Sequence, residues 1–142
     1  MGFVDTARLR RFAPEKLQKL NIFETDQMFA DVYCLAPGQA QPPHRHPDAT
    51  KFYFVIEGRA TVRIGESVQD LESGQIAHAE PGIEHGVENR SDRDAVLLVA
   101  MAPNPNRLSG VPSRGAEGAV HPSSPPIPGR PPQDRDPGGR SQ

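Results

Sequence analysis

At 142 residues, with 24% charged and 35% hydrophobic residues and a net charge of −2, the chain is long enough for one domain with a modest core and too weakly charged to be built for nucleic acid. Its single cysteine, Cys34, excludes an intrachain disulfide and the multi-cysteine zinc patterns. No stretch reaches the roughly 18 apolar residues of a membrane span, and no apolar core of signal-peptide length follows the first residues, so a soluble cytoplasmic protein with no membrane or nucleic-acid partner is expected.

In chain order, Asp5 is placed to cap a short helix through Phe12, with Ala7, Leu9 and Phe12 apolar among three arginines. Pro14 suits the first position of another turn running toward Leu20. Residues 1–28 are therefore expected to form a helical clip and a first strand, lying across the main domain or a neighbouring subunit. Leu20 to Glu24 and Phe29 to Leu35 read as strands, the second carrying Cys34 as a buried, inert thiol. From there to Met101 short strands alternate with turns, which predicts an all-β sandwich or barrel over residues 29–102.

Pro37-Gly38 breaks the run, and Gln39 to His46 forms an extended segment in which His44 and His46 stand two residues apart. In a strand, residues i and i+2 share a face, so both imidazoles aim at one spot. Phe52 to Ile56 is apolar without alternation and is expected to be buried on both faces, with an outer cover such as a dimer partner. Beyond Glu57-Gly58 the alternation is clean: Ala60, Val62 and Ile64 point one way, Arg59, Thr61 and Arg63 the other. Gly65-Glu66 is a hairpin turn, a polar strand follows to near Leu71, and Ser73-Gly74 turns the chain again. Gln75 to Ala79 is a short strand carrying His78, either facing the interior as a further donor or proton carrier or packed as an ordinary strand histidine. After Pro81-Gly82, a strand from His85 to Glu88 supplies a third imidazole, and Ala95 to Met101 closes the domain as another doubly buried strand. Ten of the sixteen prolines and six of the thirteen glycines fall in residues 103–142. That segment has too few apolar residues to offset its ordering entropy and reads as a disordered tail. Its five arginines against three acidic residues give it +2 and leave −4 for the first 102, a balance that suits a solubilising extension. His121 lies in it, away from any site.

A metal held by imidazole nitrogens needs three or four donors converging from different strands, and His44, His46 and His85 are the candidates. The stretches around them, G-QAQPP-H-R-H-PDAT-K-FYFVIE-G from Gly38 to Gly58 and G-QIAHAEP-G-IE-H-GVE-N from Gly74 to Asn89, resemble the two signature motifs of the cupin superfamily. These are G-x5-H-x-H-x3–4-E-x6-G and G-x5-P-x-G-x2-H-x3-N, and the resemblance covers roughly Asp31 to Met101. It implies a small single-domain cupin: a double-stranded β-helix, or jelly-roll, barrel with a divalent transition metal (iron, manganese, nickel, copper or zinc) in the lumen, commonly as a homodimer. Pro81 stands directly before Gly82, where the pattern has it two residues ahead.

A larger departure is Lys51, which occupies the position of the family's glutamate ligand; the shorter spacing lands on Thr50. An ammonium repels a divalent cation and ligates only after losing a proton that normally stays on to about pH 10. Lys51 is therefore expected to pair with an acidic neighbour or with the anionic group of a bound substrate. Asp48 or Glu84 replaces the missing carboxylate only if loop geometry allows. A three-histidine site leaves about half the coordination sphere open, which resembles cysteine-dioxygenase-like and diketone-cleaving members of the superfamily.

If Lys51 faces inward, Tyr53 and Val55 follow, giving a pocket with one cation, one phenol and apolar walls that suits a small anionic or enolisable molecule. Lys51, Tyr53 and His78 are then the catalytic candidates. Three functions fit: a metal-dependent enzyme of oxygenase or isomerase type, a non-catalytic small-molecule binding or sensing module with a degenerate metal site, and a structural barrel that only dimerises.

Overall fold

A computed structural model describes residues 2–108; most of the Pro/Gly-rich segment, His121 included, lies outside the described residues. Nine strands form in the order β1 (Gln18–Glu24), β2 (Phe29–Leu35), β3 (Ala40–His44), β4 (Thr50–Glu57), β5 (Arg59–Ile64), β6 (Ser67–Glu72), β7 (Ile76–Ala79), β8 (His85–Glu88) and β9 (Ala95–Ala102). A single helical turn, α1 (Pro105–Leu108), follows. Every pairing is antiparallel, and the strands divide into a five-stranded sheet, β1-β2-β9-β4-β7, and a four-stranded sheet, β3-β8-β5-β6.

The two sheets enclose one apolar interior, because period-two alternation turns half of each strand inward. Leu35, Val55, Val62, Val87, Leu97 and Val99 form its centre. Along β2 the buried side chains of this face run Asp31, Tyr33, Leu35, and along β4 they run Lys51, Tyr53, Val55. Each strand thus passes from a charge through a phenol to an aliphatic. The interior is polar at one end and aliphatic at the other.

On the outer side of the five-stranded sheet, Val32, Cys34 and Val96 are buried under Leu9, Phe12, Leu20, Ile22 and Ile56. Every residue of β2 is buried: on this side Leu9 and Phe12 come from the chain's own N-terminal arm, and Leu20, Ile22 and Ile56 from neighbouring strands. That arm is not helical. It makes one turn, in which the Ala7 amide donates to the Asp5 carboxylate and the Arg8 amide to the Asp5 carbonyl, and then runs extended, tied down by an ion pair from Arg10 to Glu57 and by Gln39 donating to the Ala13 carbonyl. A helix of eight residues does not recover its nucleation cost, whereas Leu9 and Phe12 each gain about 1 kcal/mol from even partial burial against the sheet. Beneath them Cys34 is inaccessible, and burial pushes its thiol up from the ordinary range.

β4 departs from the expectation of burial on both faces. Lys51, Tyr53 and Val55 are inside, and Phe52, Phe54 and Ile56 are half-buried outside. Ile56 packs with the cluster that Leu9 and Phe12 of the arm join, whereas at the edge of the sheet Ile76 on β7 is 57% exposed.

At the other terminus the folded unit runs past Ala102. Asn104 is fully buried and donates to the Thr25 carbonyl at 2.9 Å, while Asn106 reaches the Glu24 carboxylate at 3.3 Å. The first residues of the segment read as tail are therefore docked against the β1–β2 hairpin. Among the described residues no helix is long and apolar enough to cross a membrane.

Candidate metal centre

His44 ends β3 and His85 begins β8, and the two are directly opposite in the antiparallel register. His46 lies two residues beyond the strand, in a loop that is held where the Gly82 amide donates to the His46 carbonyl at 2.8 Å. The Pro81-Gly82 turn of the second motif thus secures the second histidine of the first. The ring centroids are 4.4 Å apart for His44 and His85, 5.0 Å for His44 and His46, and 5.4 Å for His46 and His85. One nitrogen from each ring lies within 4.8 Å of the others, against roughly 3–3.5 Å for nitrogens sharing an ion at 2.0–2.1 Å. The cluster is thus wider than a closed coordination shell by as much as about 1.5 Å.

Backbone carbonyls set the tautomers. Nδ1 of His44 donates to the Pro42 carbonyl and Nδ1 of His85 to the Ile83 carbonyl, each at 2.9 Å. A carbonyl only accepts, so Nδ1 holds the proton and Nε2 presents a lone pair, the arrangement that metal-ligating histidines use. Nε2 of His85 is buried and has no hydrogen-bond partner among the described residues. A buried acceptor left unpaired costs about 1–3 kcal/mol, so this atom fits an absent ligand better than it fits the apolar wall.

The charges agree. Burial holds all three imidazoles below their ordinary range, with the Lys51 ammonium adding to the effect, and brings His85 down to about 4. All three are neutral ligands at pH 7. In the unfolded chain these histidines bind protons near pH 6.5 while folded His85 does not until about pH 4, so stability is full above neutrality and falls as the pH drops through that window. The metal-free protein is expected to lose about 2 kcal/mol from His85 alone between pH 7 and pH 5, read from urea midpoints, and His85→Gln to lose correspondingly less.

Gly86 determines how closely the two motif strands approach. A Cβ there would lie 2.9 Å from the Gln41 carbonyl oxygen and 3.1 Å from the Pro43 nitrogen. Its absence lets β3 lie on β8 through the irregularity between Gln41 and His44. The other end of the motif is structural: Asn89 is buried, and its side-chain amide donates to the Leu35 and Arg93 carbonyls at 2.9 and 2.7 Å.

Lys51 points inward and is only 1% exposed. Its Nζ donates to Oε1 of Gln41 at 3.1 Å, lies 3.4 Å from Nε2 of His44, and sits over the Tyr53 and Tyr33 rings at 5.1 and 5.6 Å. Burial first, and then the Lys19 charge, bring its pKa down to about 7, with Asp31 acting in the opposite sense. Tyr53 donates to the same Gln41 oxygen at 3.0 Å, and Gln41 in turn donates to the Tyr33 hydroxyl at 3.2 Å. Burial, and then the Tyr33 hydroxyl, raise Tyr53 well above the usual phenol range, so it is a donor at all working pH. A cavity of about 640 Å³ opens onto the site, bounded by His44, His46, Lys51, Gln41, Asp31 and Tyr33, with Lys19 at its mouth and Phe29 and Met101 as apolar wall.

His78 does not join the site. Ala77 packs against the interior and Ala79 is buried, which turns His78 outward and leaves it exposed, opposite Phe52. Asp48 is exposed and Glu84 faces Arg45 at 3.6 Å; neither belongs to the histidine cluster. The sequence reading missed Asp31, Gln41 and Tyr33. Asp31 had a signal, since a carboxylate inside a strand of otherwise apolar residues is seldom there for packing.

A family model described as "Cupin domain" matches residues 31–101, half of the chain. The crystal structure of TT1209 from Thermus thermophilus is 44% identical and superposes with a TM-score of 0.72, covering 74% of this chain and 100% of that one. The chain belongs to the cupin family. Named relatives of this cupin include germin-like protein subfamily 2 member 1 of Arabidopsis thaliana, 34% identical over 66% of this chain and 42% of that protein. The tetracenomycin polyketide synthase protein TcmJ of Streptomyces glaucescens is 36% identical over 49% of this chain and 46% of that protein. The cupin spans less than half the length of each.

Proposed function

We propose that this cupin binds one divalent transition metal through Nε2 of His44, Nε2 of His85 and an imidazole nitrogen of His46, and that it acts as a metal-dependent enzyme of oxygenase or isomerase type on a small anionic or enolisable substrate. The observation that carries the reading is Nε2 of His85, buried without a partner among the described residues, in a cluster whose tautomers leave lone pairs facing one another. Nitrogen donors of this kind suit iron, manganese, nickel, copper or zinc.

When bound, such an ion supplies Lewis acidity toward a carbonyl or a place for dioxygen beside the substrate. The rest falls to the chain's own groups. Lys51 presents its Nζ to an oxyanion from one side of the cavity, Gln41, held in turn by the Tyr53 hydroxyl, keeps it in place, and Phe29 and Met101 supply an apolar wall. The polyketide synthase context in the TcmJ name is one of enolisable carbonyl chemistry, which agrees with a pocket of this character.

Metal analysis of protein purified without a histidine tag tests the reading. About one equivalent of a transition metal, lost on replacing any one of the three histidines, is the expected result; content indifferent to those replacements would refute it. Metal binding with no turnover of carboxylate or diketone substrates would favour the alternative of a binding or sensing cupin, which the cation at the usual carboxylate position also suits.

We further propose a homodimer through the outer face of β4 and β7, where Phe52 and Phe54 are half-buried and Ile76 is exposed. Light scattering should give twice the chain mass, and Ile76→Asp should return the monomer. A monomeric wild type would remove the proposal.

A further inference from the structure

We infer that Lys51 makes metal binding and anion binding one coupled event: the site holds an ion less tightly by itself than when a small oxyanion, a carboxylate or an enolate, satisfies both the ion and the Lys51 ammonium. This rests on the three-histidine metal reading and adds to it.

The inference starts from where the ammonium finds its acceptors. Lys51 is buried, with its Nζ 3.1 Å from Oε1 of Gln41 and 3.4 Å from Nε2 of His44, and with the faces of Tyr33 and Tyr53 beneath it. Nε2 of His44 is also the atom that a metal must take, because Nδ1 is committed to the Pro42 carbonyl. One lone pair cannot serve both. Once His44 gives it to an ion, Lys51 loses an acceptor and gains a positive neighbour.

Gln41 does not compensate by moving. It is held through both ends of its amide, by the Tyr53 hydroxyl on its oxygen and the Tyr33 hydroxyl on its nitrogen. Rotating the amide would turn its NH2 toward two donors. The freed N–H of Lys51 and the open side of the ion then call for the same thing, a negatively charged group with two oxygens, and the cavity bounded by His44, His46 and Lys51 is where it enters. Lys19, exposed at the mouth, and the buried carboxylate of Asp31 are the other charged groups that line this cavity. An ion and a protonated Lys51, which repel when alone, are both satisfied by one anion. Coupling of this kind is reciprocal, so the anion tightens the metal by the factor with which the metal tightens the anion.

Cobalt(II) is a suitable probe, since its affinity is read calorimetrically and its coordination from the visible spectrum. It would be titrated into tag-free, chelator-treated protein with and without acetate. In the wild type, acetate is expected to tighten cobalt by about tenfold or more, within the usual range of coupling between sites. Lys51→Gln and Lys51→Met, which remove a buried charge and so favour folding, are each expected to bind cobalt about tenfold tighter than wild type without acetate, with the acetate effect reduced to about twofold. Equal acetate effects in wild type and in these variants, or no gain in their cobalt affinity without acetate, would overturn the coupling while leaving the metal site intact. Failure of wild type and both variants to bind cobalt, or binding unchanged in His85→Ala, would instead overturn the metal site and the coupling with it.

Discussion

His85→Ala is expected to weaken transition-metal binding by more than about 100-fold, leaving less than about a tenth of an equivalent on the purified protein. The reason is specific to this ring. His85 is the most buried of the three, its Nδ1 is locked to the Ile83 carbonyl, and its Nε2 is the orphaned atom of the cluster. Loss of a first ligand should exceed the 10–100-fold that loss of a ligand's outer hydrogen-bond partner typically costs. His44→Ala and His46→Ala are expected to behave alike, because two imidazoles alone do not close a site. Circular dichroism and urea unfolding of the metal-free variants separate this from misfolding. A folded His85→Ala protein that keeps its metal would mean that the ion sits elsewhere.

The largest effect on stability is expected at Gly58, in the turn from β4 into β5. Its φ is +81°, and a Cβ on it would lie 2.4 Å from the Asp94 carbonyl oxygen and 3.1 Å from Cα of Ala95, both backbone atoms that cannot swing aside. Gly58→Ala therefore combines a left-handed backbone, about 1–2 kcal/mol for a residue with a Cβ, with a clash that displaces the start of β9, together about 3 kcal/mol or more. Gly38→Ala isolates the first contribution, since Gly38 has a φ of +84° and nothing within 4 Å of the added carbon. It is expected to cost only about 1–2 kcal/mol. Urea midpoints of the two variants measure the difference; equal losses would show that the Asp94 contact relaxes without cost. Against the total stability of about 5–15 kcal/mol usual for a domain, a loss of about 3 kcal/mol is between about a fifth and more than half of the whole.

Much of this was legible in the sequence. The His44-x-His46 spacing and the glycine-framed second stretch carried both the barrel and the histidine cluster, because those residues act through local geometry: a strand that alternates and turns that need glycine. The inward set Lys51, Tyr53, Val55 followed from parity in the same way. What escaped was decided by contacts distant along the chain. The same parity kept His78 out, but the register that sets it was not readable without knowing which strand β7 pairs with. Gln41 looked like filler between glycine and proline, and only the strands carrying Tyr33 and Tyr53 make it the centre of a hydrogen-bond network. The N-terminal arm was misread as helical because its apolar residues were assigned to a helix face, when their partner is a sheet surface supplied by Val32, Cys34 and Val96.

The alternation along β4 has a consequence for how such a protein diversifies. Positions 51 and 53 face into the barrel, and 52 and 54 face out of it. Neighbours in the sequence can therefore change independently, one altering the lining of the interior and the next the outer surface. Trading a carboxylate for an ammonium at position 51 could thus redirect the pocket in a single step, without disturbing the surface that the rest of the fold depends on.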